Sequence, residues 1–173
     1  MSEDKTRTSA SSVDLEDMVA SSDSGARKPP GLPGKVLVIT AAVWSLFQLW
    51  IASPLPFVLE FGVFNATESR SIHLAFALFL AYMAYPATKN SPRDRIPIQD
   101  WVLGLLAALA GAYMFIFYEQ LAQRPGAPIM QDVIVGVIGI LLLLEATRRA
   151  LGPPLMIVAL VFIGYSLAGP YMP

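Results

Sequence analysis

Residues 133–149 read VIVGVIGILLLLEATRR, an apolar run that ends in one carboxylate and two guanidinium groups. A helix that crosses a bilayer core needs about 20 mostly apolar residues, and the charge-free part, Val133–Leu144, is shorter than that. It suits either a crossing helix that extends through its charged end or a re-entrant or interfacial helix. Arginine side chains at the end of a span can reach the lipid headgroups. We therefore predict a crossing helix whose last turn carries Glu145, Arg148 and Arg149.

Four further apolar stretches organise the rest of the chain. In chain order the five are Val36–Val58, Ser71–Thr88, Trp101–Tyr118, Val133–Thr147 and Pro154–Ala168. The chain is 55% hydrophobic, and the charged residues, 14% of the total, avoid the interiors of these stretches. A composition this apolar is unusual for a soluble domain. We predict an all-α membrane protein with about five transmembrane helices.

The positions of the basic residues predict the orientation of these helices. Five Lys and Arg residues precede the first stretch, three lie between the second and third, and two lie between the fourth and fifth, so ten of the twelve fall on one side. Cytoplasmic loops carry the excess of Lys and Arg. This pattern predicts that the N-terminus is inside and the C-terminus outside. Without a crossing by the fourth stretch the asymmetry would be weaker, which favours the crossing.

The beginning of the chain has a different composition. Residues 1–34 are rich in Ser, Gly, Pro and acidic residues, and such a segment buries too little apolar surface to order itself. We predict a disordered cytoplasmic tail in which Ser12–Ala20 forms a short amphipathic helix, either transient or docked to the membrane or a partner. Residues 35–150 are predicted to form a four-helix membrane domain, and residues 151–173 a fifth helix.

Small residues indicate how two of the spans pack. Ala77 and Ala81 stand one helical turn apart in the second stretch, and Ala107 and Gly111 do so in the third. This spacing lets two membrane helices approach closely. We therefore predict that the second and third spans form a tightly packed pair. The amide of Gln48, in the first stretch, is expected to hydrogen-bond to a neighbouring helix, and substrate binding is the alternative.

The charged end of the fourth stretch has two interpretations. Glu145, Arg148 and Arg149 are spaced at i, i+3 and i+4, so they can pair on one helix face. Cations also suit the C-terminal end of a helix. The group is either a charged elbow that marks the inner surface or a contact for another domain.

The composition also narrows the kinds of chemistry that we expect. A net charge of −1 gives no electrostatic footprint for nucleic acid. There are no cysteines and one histidine, His73, which predicts no metal site and no protein-bound cofactor. The apolar stretches lack the serine–base pair, paired aspartates or histidine cluster of an intramembrane hydrolase. We expect no catalytic, cofactor-binding or metal-binding residue, and we expect the lipid bilayer and other helices to be the partners.

Several segments resemble a known family. They are residues 44–50 (WSLFQLW), 61–65 (FGVFN), 70–76 (RSIHLAF), 93–97 (RDRIP) and, most strongly, 141–153 (LLLLEATRRALGP). Together they make the chain from about Gly31 to Pro173 similar to the N-terminal part of fused TRAP (tripartite ATP-independent periplasmic) transporter permeases. The resemblance implies a multi-pass protein of the bacterial inner membrane.

The resemblance also implies a function. In this family a periplasmic substrate-binding protein captures an organic acid and delivers it to a permease, usually driven by a sodium gradient. The permease has a small four-helix part and a large part that moves substrate and ions. On this reading residues 35–150 are the small part and residues 151–173 the linking helix. The chain ends where the large part would begin, so the substrate and sodium sites are expected outside it.

A scaffold that holds the large permease domain is the expected function. The alternative is an independent small membrane anchor or assembly protein. A complete carrier or an enzyme would require intramembrane acidic residues or a pore that the sequence does not contain.

Overall fold

A computed structural model describes residues 26–27, 29–88, 91–92 and 94–169. Most of the predicted tail, including Ser12–Ala20, lies outside the described residues, as do Lys89 and Arg93 of the predicted inner loop. The described part is helical and has no β-strand.

Seven helices follow one another along the described chain. They are α1 (Leu32–Ala52), α2 (Leu55–Val58), α3 (Ala66–Ala84), α4 (Ile98–Ile116), α5 (Tyr118–Ala122), α6 (Met130–Leu151) and α7 (Pro153–Ala168). Among the described residues α1, α4 and α6 are long and apolar enough to cross a membrane. Helix α7 is apolar but shorter, at 16 residues. This architecture agrees with the predicted all-α membrane protein and contains three candidate spans.

Helix α6 is longer than the apolar stretch that predicted it. It has 22 residues, the length of a crossing helix rather than of a re-entrant segment. Asp132 lies in its first turn, and Arg148 and Arg149 lie in its last. The side chains of these charged residues have partners inside the protein, which lets the helix continue beyond the charge-free run at both ends.

Helix α1 begins inside the segment predicted to be a disordered tail. The residue before it, Gly31, has φ of 71°, and a proline occupies its first turn. Proline at that position fixes a helical φ and loses no hydrogen bond. The helix therefore starts at Leu32 rather than at Val36. Upstream of the helix, Arg27 is buried, and its backbone N–H donates to the carbonyl oxygen of Ala84 at 2.7 Å.

Helices α3, α4 and α6 enclose the core. The buried apolar residues that contact one another are Leu78, Tyr82, Met83, Ala107 and Ala146. The most extensive interface between helices joins α3 and α4. Helix α1 packs along α3, and α7 packs mainly on α6. The second and third predicted stretches thus supply the two helices that share the largest interface.

Small residues of α4 set the distance between α3 and α4. A Cβ atom built on Gly111 would lie 3.1 Å from the backbone N and Cα of Ala75. One built on Gly104 would lie 2.7 Å from Cε of Met83. Ala107, between these two glycines, is fully buried. The stripe formed by Gly104, Ala107 and Gly111 is the surface on which α3 rests.

The two alanines predicted for the same interface lie elsewhere on α3. Ala77 and Ala81 line an apolar groove between α1 and α6. The residues of α3 nearest to Gly104 and Gly111 are instead Leu74, Ala75, Phe79, Tyr82 and Met83. Helix α3 packs against α1, α4 and α6, so the spacing of its small residues alone does not identify which neighbour they face.

A serine hydroxyl also joins α3 to α4. The Oγ atom of Ser71, which is buried, donates to the carbonyl oxygen of Gly111 at 2.7 Å and accepts from the N–H of Phe115 at 3.0 Å. These two backbone groups are spaced as an i→i−4 pair of α4. The Ser71 hydroxyl of α3 is therefore hydrogen-bonded to both a backbone donor and a backbone acceptor of α4.

Candidate functional site

Asp100 is a buried carboxylate in the first turn of α4. Its side chain is 6% exposed. Oδ1 accepts a hydrogen bond from Nη1 of Arg149 at 2.8 Å, and Oδ2 lies 2.7 Å from Nη1 of Arg27. The N-terminal end of α4 also favours a negative charge. One carboxylate thus holds the end of α6 and the segment before α1 against α4.

Arg149 is the most enclosed cation of α6. Its side chain is 4% exposed. Besides the bond to Asp100, its Nε donates to Oε1 of Glu145 at 2.8 Å, and its guanidinium lies 4.6 Å from the centre of the Tyr82 ring. The hydroxyl of Tyr82 in turn donates to the carbonyl oxygen of Leu142 at 2.9 Å. Arg149 is therefore surrounded by groups of α3, α4 and α6.

Arg148 lies in a more open position. Its Nε and Nη2 donate to the two carboxylate oxygens of Glu145, both at 2.7 Å, and Nη2 also donates to the carbonyl oxygen of Ala87 at 2.8 Å. About a third of the side chains of Arg148 and Glu145 remains exposed. The last bond ties α6 to the loop after α3.

We call the residues Arg27, Asp100, Glu145, Arg148 and Arg149 the Asp100 network. The sequence predicted the local pairing of the last three, and the structure brings them together. Sequence reasoning missed Arg27 and Asp100, although an acidic residue at the start of an apolar stretch was a signal for the latter. The two arginines of the elbow also differ, since Arg149 is buried within the chain and Arg148 is half-buried.

A second polar cluster joins α4 and α6 at their other ends. We call Tyr113, Arg124 and Asp132 the Asp132 cluster. Oδ1 of Asp132 accepts from the hydroxyl of Tyr113 at 2.5 Å and from Nη2 of Arg124 at 3.1 Å. Oδ2 accepts from the N–H of Ile129 at 2.9 Å, which satisfies a free donor at the start of α6. Helices α4 and α6 are thus fastened at both ends.

The side-chain amide of Gln48, which was predicted to hydrogen-bond to a neighbouring helix, has its partner on α3. Nε2 of Gln48 contacts Nδ1 of His73, and Nε1 of Trp44 donates to the same atom at 3.3 Å. The rings of Trp44 and His73 meet edge to face with centroids 4.9 Å apart. These contacts connect α1 with α3.

The polar contacts described so far join helices to one another or to neighbouring segments. The groove between α1 and α6, about 620 Å³ in volume, is lined almost entirely by apolar side chains. Among the described residues no group of three His, Cys, Asp or Glu side chains is placed to hold a metal ion. The arrangement connects helices.

Comparisons with protein-family models, with curated proteins and with solved structures found no match for this chain. The functional proposal therefore rests on the residues and on their geometry.

Proposed function

We propose that the chain is the membrane scaffold part of a TRAP-type secondary transporter for organic acid uptake. The observation that supports this most is the double fastening of α4 to α6, by the Asp100 network at one end and the Asp132 cluster at the other. A helix bundle held at both ends suits a part that stays still while another domain moves. The segments similar to TRAP permeases suggest which moving domain that is.

In this proposal α1, α3, α4, α6 and α7 all cross the bacterial inner membrane, with the N-terminus inside. Helix α3 has 19 residues and lies beside α4, and its N-terminus is satisfied by a capping box formed by Asn65 and Glu68. Helix α7 is about 24 Å long at 1.5 Å per residue, which local thinning of the bilayer can accommodate. The excess of basic residues then lies in the cytoplasm.

The proposed partners are a large permease domain, which carries the substrate and sodium sites, and a periplasmic substrate-binding protein. Two surfaces are available for the large domain. Helix α7 has no buried residue. Arg148 is half-buried, so it can contact a partner without leaving Glu145. Arg149 is already enclosed, and we assign it a structural role.

The test is reconstitution in liposomes under an inward sodium gradient. We expect organic acid uptake when the chain, the large permease domain and the binding protein are all present. The chain with the binding protein alone should give no uptake above protein-free vesicles. Gradient-driven uptake without the large domain would contradict the scaffold assignment. Full uptake in the absence of this chain would favour the alternative of an independent anchor or assembly protein.

Co-purification measures the contact with the large domain directly. Arg148→Ala should lower recovery of that domain, because it removes a half-exposed cation at the proposed contact. Arg95→Ala is the matched control, since Arg95 is an exposed cation in the loop before α4. Equal recovery with the two variants would remove Arg148 from the proposed interface.

A further inference from the structure

Two cavities meet on the surface of α1. The first, about 630 Å³, is lined by Arg27, Lys35 and the residues around the start of α1. The second is the apolar groove of about 620 Å³ between α1 and α6. Leu37 and Val38 line both of them. The two cavities therefore form one continuous surface with a basic mouth and an apolar body.

The mouth borders a group of charged residues with an excess of positive charge among the described residues. The Asp100 network contains three guanidiniums and two carboxylates, which leaves one positive charge over. Nε of Arg27 donates to the carbonyl oxygen of Pro92 at 3.2 Å. Nη1 lies close to Asp100 without an aligned hydrogen bond, and Nη2 has no hydrogen-bond partner among the described residues. The Arg27 side chain is 0% exposed and pairs with Asp100 inside the protein, so it acts on the mouth through its electric field and not through direct contact.

Two further features of the mouth attract an anion. Lys35 is exposed and lines the same cavity, in the first turn of α1. The N-terminal end of this 21-residue helix faces the mouth with the positive end of its dipole. Basic pockets between membrane helices on the cytoplasmic side bind the headgroups of anionic lipids.

The dimensions of the apolar body suit a lipid chain. On α3 its lining runs from Leu74 to Tyr85, about 16 Å at 1.5 Å per residue. Its floor is formed by small side chains, among them Ala77 and Ala81, which leave the groove open. An acyl chain lies along such a groove when its headgroup is held at one end.

We propose that this surface binds one anionic phospholipid of the inner leaflet, with the phosphate at Lys35 and the start of α1, next to the buried Arg27, and an acyl chain along Ala77 and Ala81. The same cations would also attract free phosphate, but only a lipid uses the apolar groove. The proposal goes beyond the scaffold function, and only its assignment to the inner leaflet rests on the orientation proposed above.

Native mass spectrometry of the full chain in detergent tests the proposal. With dioleoyl phosphatidylglycerol added we expect one retained lipid, and with dioleoyl phosphatidylcholine much less. Lys35→Gln should weaken phosphatidylglycerol binding about fivefold, the effect of one basic residue near a membrane surface. Arg95→Gln is the charge-matched control and should leave binding unchanged.

A second variant tests the groove separately from the mouth. Ala77→Leu fills the groove and should reduce retention of phosphatidylglycerol while Lys35 remains. Gly164→Leu, on α7 where a Cβ would meet nothing within 4 Å, is its control. Circular dichroism establishes that each variant is folded.

Five outcomes would overturn the proposal. These are equal retention of the two lipids, equal losses in Lys35→Gln and Arg95→Gln, and unchanged binding in Ala77→Leu. The fourth is a second copy of the chain, seen as a dimer mass, in place of the lipid. Binding of inorganic phosphate without binding of phosphatidylglycerol would assign the mouth to a free anion and would also contradict the lipid assignment.

Discussion

Replacing Asp100 with asparagine should destabilise the bundle more than any other change of a single charge. The substitution keeps the shape of the side chain but removes the negative charge that Arg27 and Arg149 share. The Asp100 network would then hold three guanidiniums against the single carboxylate of Glu145. The buried side chain of Arg27 has no other carboxylate within 4.0 Å among the described residues.

The expected loss in the free energy of unfolding of Asp100→Asn follows from these contacts. Removing one partner of a buried ion pair costs about 3–5 kcal/mol. Because Arg149 keeps its bond to Glu145 and asparagine can still accept one hydrogen bond, we expect the lower limit, about 3 kcal/mol. For a chain of 173 residues this corresponds to a fall in Tm of about 6–12 °C.

The assay is unfolding in mixed micelles of detergent and SDS, followed by circular dichroism. Asp94→Asn is the matched control, because Asp94 is an exposed acidic residue in the loop before α4. The double variant Asp100→Asn with Arg27→Met should recover part of the loss, since it removes the orphaned cation as well. A loss for Asp100→Asn below 1 kcal/mol, or equal to that of Asp94→Asn, would refute the structural importance of the network.

Three further outcomes are expected. Gly111→Ala should cost about 1–3 kcal/mol in the same assay, because its Cβ would lie 3.1 Å from the backbone of α3. The control is Gly136→Ala, which should be neutral or slightly stabilising because nothing lies within 4 Å of its Cβ. Equal effects of the two substitutions would contradict close packing at Gly111. Ser71→Ala should cost about 1 kcal/mol, since it removes both bonds to α4, and no loss would mean that the helix closes its own bond there. Because the chain lacks cysteine, Ala66→Cys and Leu151→Cys can each be labelled as the single thiol of the protein in intact cells. An impermeant thiol reagent should modify Ala66→Cys and not Leu151→Cys. Modification of Leu151→Cys would contradict the cytoplasmic position predicted for the end of α6.

Much of the helical organisation could be predicted because apolar runs and small residues are local signals. The stretch around Ala107 and Gly111 is an example. Its spacing predicted a close helix contact, and in the structure both residues are buried on the side of α4 that α3 covers. The spacing of Ala77 and Ala81 is the same, yet they face the groove. A spacing identifies which residues share a helix face but does not identify the neighbour.

The members of the Asp100 network that were missed show a different limit. Arg27 lies in a stretch with the composition of a disordered tail, and its partner Asp100 lies far along the chain at the start of α4. A charge pair between distant segments leaves no periodic pattern in either of them. The length of α6 was difficult to predict for a related reason. Its polar ends are paired with other segments, so the charge-free run alone was shorter than the helix.

The positions of Asp100 and Arg149 bear on how the bundle is assembled during synthesis. Asp100 lies at the N-terminal end of α4 and Arg149 at the C-terminal end of α6, so each charge sits where its own helix dipole favours it. Helix α4 is synthesised before α6, and until α6 is made the carboxylate of Asp100 can stay near the headgroups without a partner. In the orientation proposed above both ends lie in the cytoplasm, so they meet when α6 packs beside α4, and neither charge has to enter the hydrocarbon core unpaired. The order of synthesis and the direction of the helices therefore let one ion pair form at little cost to insertion.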